Sequence, residues 1–277
     1  MSEFLTLEET NLSRAWARIF VRSQPTGYEL SPFLLRLTDH GAEGPREIPE
    51  LRDALDACLE ASDMDGVQTV ANTIFPQSLW RQAKGDRHQL YAAYLENLPD
   101  YVAMAPSKNR DGLYFARLIG FGIAPANGTE EPHLPAKLLQ AGGNQLEFMI
   151  QHCRPGVRRT MFQAAVYDPV RDQSASAQQG FPCLQHLTFV PEFRNKTLSL
   201  NAFYATQQLF MKAYGNWLGL VRLGLFVAGQ VDLRLGAMNC YVGIEKMDKR
   251  PKPGTALQRL RSAAAAAVVA DAQPTST

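Results

Sequence analysis

A cysteine directly after a proline, Pro182-Cys183, follows Phe181 and leads into two strand-like runs, LQHLTFV and TLSLNAFYA. Roughly thirty positions further on, Asn216 sits in a long apolar stretch. An ionised thiol is a strong nucleophile, and covalent addition divides one difficult step into two easier ones. A primary amide presents a donor beside an acceptor, which suits a planar ring carrying the complementary pair. Together they predict a thiol attacking a planar polar ring at the mouth of a sheet. The competing reading makes Cys183 a small packed residue capping a strand, the commoner fate of cysteine, and Asn216 a cap at the helix break Tyr214-Gly215.

Arg158-Arg159 adds a second chemistry. A guanidinium offers parallel donors at fixed geometry, matched to phosphate. A bare pair of arginines in a turn is otherwise a solvated surface. Arg22, ahead of the Pro25-Thr26-Gly27 turn, offers a further cation, while Asn239 and Tyr241 near the chain's last strand offer hydrogen-bonding groups.

The elements that must position these residues read as one α/β domain over 1–260, followed by a low-complexity tail over 261–277. Apolar spacing predicts helices over 8–20, 49–62, 86–98 and 144–153, with Asp86 as an N-cap and Leu146, Met149 and Ile150 on one face. A turn is expected at 24–27 and a surface loop over 124–135. Strands are expected over 33–37, over 160–167, on either side of Pro191, and over 237–244. The stretch 202–229, apolar and poor in charge, reads as a buried central helix. The alanine run of the tail can form a helix, and the end of the chain is expected to be disordered.

Composition narrows the function classes. The chain has 277 residues, 45% hydrophobic and 20% charged, enough for a sizeable core. A net charge of +1 provides no global field toward nucleic acid or a membrane surface. No apolar run approaches the ~20 residues of a membrane span. The first residues carry acids and no signal-peptide core, so a cytoplasmic protein is expected. Cys58, Cys153, Cys183 and Cys240 are widely spaced without a CxxC pair, which argues against zinc and, in a reducing compartment, for four thiols.

From 144 to 241 the order of motifs resembles thymidylate synthase and its relatives, the pyrimidine C5-methylases and hydroxymethylases. The family's Asn-Gln-Leu helix start is Asn144-Gln145-Leu146, and its Arg-Arg pair is Arg158-Arg159. Its aromatic-Asn-Pro triplet is Tyr167-Asp168-Pro169, its Pro-Cys is Pro182-Cys183, and its Leu-Ser strand is Leu198-Ser199. Gly215-Asn216 matches its helix, and Leu235-Gly236-Ala237-Met238-Asn239-Cys240-Tyr241 matches its Leu-Gly-Asp-Ala-His-x-Tyr strand. The resemblance covers about a third of the chain and implies a mixed β-sheet flanked by helices, in a homodimer with a shared active site.

It also implies roles. Cys183 would add to C6 of a pyrimidine nucleotide and make C5 nucleophilic toward a one-carbon unit from 5,10-methylene-tetrahydrofolate. Asn216 would hold the ring, favouring uracil over cytosine. Arg158 and Arg159 would reach the neighbouring subunit's nucleotide phosphate, with Arg22 at the place of another phosphate arginine. Ser199 and the Thr206 hydroxyl would line the substrate, with Asn239 and Tyr241 at the ribose. The departures are Ala205 in place of an arginine, Gln208 in place of the aspartate that meets the folate pterin, and Leu184 in place of a histidine. Strand alternation places His186 on the same face as Leu184. Two readings follow: a divergent C5-transferase acting on a uracil-type nucleotide, or a catalytically impaired nucleotide-binding or interaction protein of the same fold.

Overall fold

Alternating residues build a first strand ahead of the expected helix. Leu5 and Leu7 are half-buried while Thr6 and Glu8 are exposed, a period of two that a strand satisfies, so β1 occupies Glu3–Glu9. Asn11 then caps α1 (Leu12–Arg22), its side chain accepting the Arg14 N–H at 3.1 Å. The helix expected over 8–20 therefore starts four residues late, at its cap. The computed structural model describes residues 3–23, 28–109, 113–121, 143–173, 175, 182–247 and 249–269. The turn at 24–27, the loop over 124–135, Phe181 and the chain end over 270–277 lie outside the described residues.

After β2 (Glu29–Thr38) come α2 (Pro49–Ala61), α3 (Val67–Asn72), α4 (Gln77–Gln82), α5 (Arg87–Met104), α6 (Pro106–Asn109) and α7 (Tyr114–Ile119). Then follow α8 (Gln145–His152), a 3-10 turn (Arg159–Met161), β3 (Gln163–Ala165), α9 (Pro169–Asp172) and β4 (Leu184–Glu192). β5 (Thr197–Gln208) leads through a π-helical turn (Leu209–Ala213) into α10 (Tyr214–Gln230), and β6 (Arg234–Lys246) and α11 (Thr255–Val269) complete the order. Asp86 caps α5 by accepting the His88 and Gln89 N–H groups at 2.8 and 3.2 Å. Asn144 caps α8 through the Glu147 N–H at 2.9 Å. The strand expected over 160–167 shortens to β3, because Arg159–Met161 winds into the 3-10 turn.

The strands form one six-stranded sheet in the order β1-β2-β6-β5-β4-β3. The β1/β2 and β5/β6 pairs are parallel and the other three antiparallel, so the sheet is mixed. Helices flank it in a single α/β domain, with α10 packed on β5 and β6. Exposed Arg36, Phe203 and Tyr241 alternate with buried neighbours and mark a sheet face left open to solvent. The stretch expected as one helix over 202–229 divides: 202–208 belongs to β5, and the helix proper begins at Tyr214. Phe203 and Tyr204 are apolar on both faces of the strand, so hydrophobicity alone cannot distinguish the two periods there.

Three adjacent strands break their alternation at the same level. The inward residues are spaced by three rather than two at Leu30 and Phe33, at Tyr204 and Gln207, and at Val242 and Glu245. These pairs stand opposite one another across β2, β6 and β5. An extra residue per strand bends a sheet and increases its twist. Here the kink turns two polar side chains, Gln207 and Glu245, into the interior.

The central helix packs closely on α3. A Cβ at Gly215 would lie 2.6 Å from Val70 Cβ, and one at Gly219 would lie 2.7 Å from the Ala71 carbonyl oxygen. Only the absence of a side chain permits that approach. The π-helical turn is tied to α1 by Trp16, whose Nε1 donates to the Leu209 carbonyl at 3.0 Å. At the far end α11 buries Leu257, Leu260, Ala264 and Ala267 against α1 and α2. The domain boundary drawn at 260 falls inside this helix, because small alanines allow it to dock as closely as its leucines do. Among the described residues no helix is long and apolar enough to cross a membrane.

Candidate functional site around Cys183

Cys183 is half-buried at the foot of β4, and its carbonyl accepts the Ala205 N–H of β5 at 3.0 Å. That register brings its Sγ to 3.8 Å from the Thr206 hydroxyl, a long contact at the limit for sulfur. The Tyr114 phenol, carried in by α7, lies within electrostatic range of Cys183. Burial first, and then charge on Cys183, raise this phenol above its usual range. Tyr204 stands opposite Leu184 in the ladder and is fully buried, its hydroxyl also held well above the ordinary range by burial. No arginine occupies position 205; Ala205 is there.

Asn216 lies in the first turn of α10 and is only 5% exposed. The packing of Gly215 on Val67 and Val70 sets its depth. Its side-chain amide makes no hydrogen bond to another described residue, although buried amides in folded proteins are nearly always paired.

The other predicted residues separate into distinct places. Asn239 and Tyr241 lie on the open sheet face. Asn239 donates to Asn201 at 2.8 Å and accepts from Arg36 at 3.2 Å, and Tyr241 stacks on Phe203 with ring centroids 5.0 Å apart. Ser199 sits opposite Val190 and Ala237. The strand path from Ser199 to Thr206 covers roughly 23 Å at ~3.3 Å per residue, so the two hydroxyls do not share a site. Arg158 and Arg159 are exposed, and Arg159 donates to Glu192 at 2.9 Å. Along β4, Glu192 and Leu184 are roughly 26 Å apart at ~3.3 Å per residue, so this arginine pair is remote from the Cys183 of its own chain. Arg22 is exposed in the last turn of α1.

His186 does not share a face with Leu184. The β4/β5 register shifts between them, burying Leu184 and leaving His186 half-buried opposite Phe203. The bulge frees the Gln185 carbonyl, which accepts both Val166 and Tyr167 N–H at 2.9 and 3.1 Å. Burial lowers the His186 imidazole, which is therefore neutral at neutral pH.

Tyr114, Tyr204, Gln207 and Glu245 were not legible as site residues. Tyr114 comes from a helix far away in sequence. In a regular strand, alternation would set Glu245 outward with Tyr241; the kink reverses it. Burial holds the Glu245 carboxyl well above the usual carboxylate range. Among the described residues no group of three or more histidine, cysteine, aspartate or glutamate side chains could hold a metal ion. Compared with models of protein families and with curated proteins, the sequence matches none.

Proposed function

We propose that the chain is a divergent thymidylate-synthase-like protein that binds a uracil-type pyrimidine nucleotide and adds Cys183 to its ring. The observation that carries this reading is a half-buried thiol whose sulfur lies 3.8 Å from the Thr206 hydroxyl; the buried Asn216 amide, which hydrogen-bonds to no other described residue, adds the group that would hold the ring. Uracil presents O4 as an acceptor beside N3–H as a donor, and one amide satisfies both. In the addition, the sulfur electron pair forms the S–C6 bond and the C5–C6 pair moves toward C5 and O4. The Asn216 N–H then meets the charge developing on O4. C5 becomes the nucleophilic carbon, the position at which a one-carbon unit would be accepted.

The residues present do not fit the folate donor that the resemblance implies. Gln208 offers an uncharged amide where a carboxylate would meet the pterin. A second reading, nucleotide binding without transfer, is favoured by Ala205, which stands where the resemblance implies an arginine. In both readings the protein acts as a homodimer. Supporting this are the open sheet face, where stacked Phe203 and Tyr241 are 40% and 38% exposed, and the remoteness of Arg158 and Arg159 from their own Cys183. A second copy could bring those arginines to a phosphate.

A fluorinated uracil nucleotide should form an adduct with Cys183, visible by mass spectrometry, and Cys183→Ser should abolish it. Thermal shift with dUMP, UMP, dCMP and CMP separates the readings. An adduct supports the enzyme, and stabilisation without an adduct supports the binding protein. No adduct together with no shift from any of the four nucleotides refutes both.

A further inference from the structure

Between Thr206, whose hydroxyl lies 3.8 Å from the thiol, and Asn216 the chain leaves the sheet, passes through the π-helical turn and enters α10 at Tyr214. Single turns of π-helix recur at functional sites. No side chain caps the start of α10. Both ends of the turn are held instead by α1, from the far end of the chain. Trp16 Nε1 donates to the Leu209 carbonyl at 3.0 Å, and Ser13 Oγ lies 2.7 Å from the Tyr214 hydroxyl. Ser13, Trp16 and Tyr214 are all buried.

The directions of these bonds are fixed by their ends. The Ile48 N–H can only donate, and does so to Ser13 Oγ at 2.7 Å, so the Ser13 proton points to Tyr214. The Tyr214 hydroxyl donates in turn to Glu47 Oε1 at 2.8 Å, where the Arg52 guanidinium also donates at 2.9 Å. Burial first, and then the charge of Glu47, hold the Tyr214 phenol well above its ordinary range, so it keeps that proton. Arg52 lies over the Tyr214 ring, 5.6 Å from its centroid, and carries the line on to Asp56 at 2.7 Å. The second Asp56 oxygen accepts the Val67 N–H at 2.8 Å, at the start of the same α3 on which Gly215 packs. Each hydroxyl and carboxyl in this line has its partner, the condition under which a buried polar network rigidifies a fold.

We propose that Ser13 and Glu47, acting through the Tyr214 hydroxyl, clamp the head of α10 and thereby set where the Asn216 amide stands relative to the Cys183 thiol. All three are positioning residues, which act through the helix and not on the base. Tyr214 is two residues ahead of Asn216 in the same helical turn, so a shift at its ring passes to the amide through the backbone. A misplacement of about 1 Å is enough to cost reaction rate. The inference rests on the reading of Asn216 as the group that holds the ring, and it brings α1 and the segment before α2 into that site.

Tyr214→Phe removes only the hydroxyl, and Ser13→Ala breaks the same line from α1. Hydrogen exchange, read by mass spectrometry on peptides covering 209–216, tests the clamp without any nucleotide. The rate of Cys183 adduct formation at saturating fluorinated uracil nucleotide tests what the clamp is for. Each variant should exchange about ten-fold faster over 209–216, the loss of one hydrogen bond with its partner left unpaired. Each should also slow the adduct by about ten-fold. Iodoacetamide alkylation of Cys183 should stay within about two-fold, because the thiol's own surroundings are unchanged. Glu47→Gln, which still accepts from Tyr214 and Arg52, should behave as the parent, whereas Glu47→Ala should match Tyr214→Phe. A merely structural role lowers Tm and leaves the saturated adduct rate unchanged well below the transition. That result overturns the proposal, as does unchanged exchange in both Tyr214→Phe and Ser13→Ala, or an equal slowing of alkylation, which places the effect on the thiol. Should Tyr214→Phe fail to fold, Ser13→Ala and Glu47→Ala decide. If exchange follows the expected pattern while the parent protein gives no adduct, the clamp stands and the nucleotide reading falls.

Discussion

Gly215→Ala places a methyl group where α3 and α10 leave none. Its Cβ would lie 2.6 Å from Val70 Cβ and 2.8 Å from the Val67 carbonyl oxygen. Carbon contacts are favourable only near 3.5–4.0 Å, so the two helices must separate by about 1 Å. Overpacking of this kind costs about 1–3 kcal/mol, and the better helix propensity of alanine returns up to about 1 kcal/mol. A net loss of about 1–2 kcal/mol follows, several degrees in Tm for a chain of this size. Gly229→Ala on the same helix is the control: no atom lies within 4 Å of its Cβ, so only the propensity gain applies. Because Asn216 is the next residue, a displacement of about 1 Å also misplaces its amide, enough to weaken ligand orientation by about a hundred-fold. Urea unfolding measures the first effect, and the nucleotide-induced thermal shift measures the second. If Gly215→Ala proves as stable as Gly229→Ala, the close packing of α3 on α10 is refuted. If it is destabilised yet keeps the full nucleotide shift, Asn216 does not orient the base.

Two further outcomes follow from buried charge. Arg117 and Asp172, 5% and 4% exposed, are joined at 2.6 and 2.7 Å, and Arg117 also donates to the Val166 carbonyl at 2.8 Å. Asp172→Ala leaves the guanidinium buried without its carboxylate and should cost about 3–5 kcal/mol in urea unfolding. Burial raises the Glu245 carboxyl above its unfolded value of about 4.3, so folding stability falls as pH rises above that value. Glu245→Gln should therefore be more stable than the parent at neutral pH, with the advantage vanishing below about pH 4. An advantage that persists unchanged into acid would show that Glu245 is ionised in the fold.

Where local chemistry decides, the sequence is legible. Asp86 and Asn144 cap the helices expected after them, because a short polar side chain can satisfy the first N–H groups of its own helix. Periodic α2 ends one residue short of its expected bound, and β2 contains the strand expected over 33–37 but begins four residues earlier. The stretch over 202–208 was misread because Phe203 and Tyr204 make both faces apolar, and only pairing with β4 and β6 selects the strand. The alanine-rich end read as low complexity, yet Ala264 and Ala267 dock on α1 and α2, a use of small side chains that composition cannot reveal.

The candidate site shows the same division. Pro182-Cys183 and Asn216 are visible in the sequence because a thiol and an amide carry their chemistry in their residue type. What surrounds the thiol is not. Tyr114 arrives from α7, the bulge in β4 parts Leu184 from His186, and the kink across three strands turns Gln207 and Glu245 inward. Side-chain direction in a strand depends on register, and one inserted residue reverses it. The sequence by itself determined which groups could react. The tertiary structure alone decided which of them meet, because register and long-range packing are properties of paired strands rather than of any one segment.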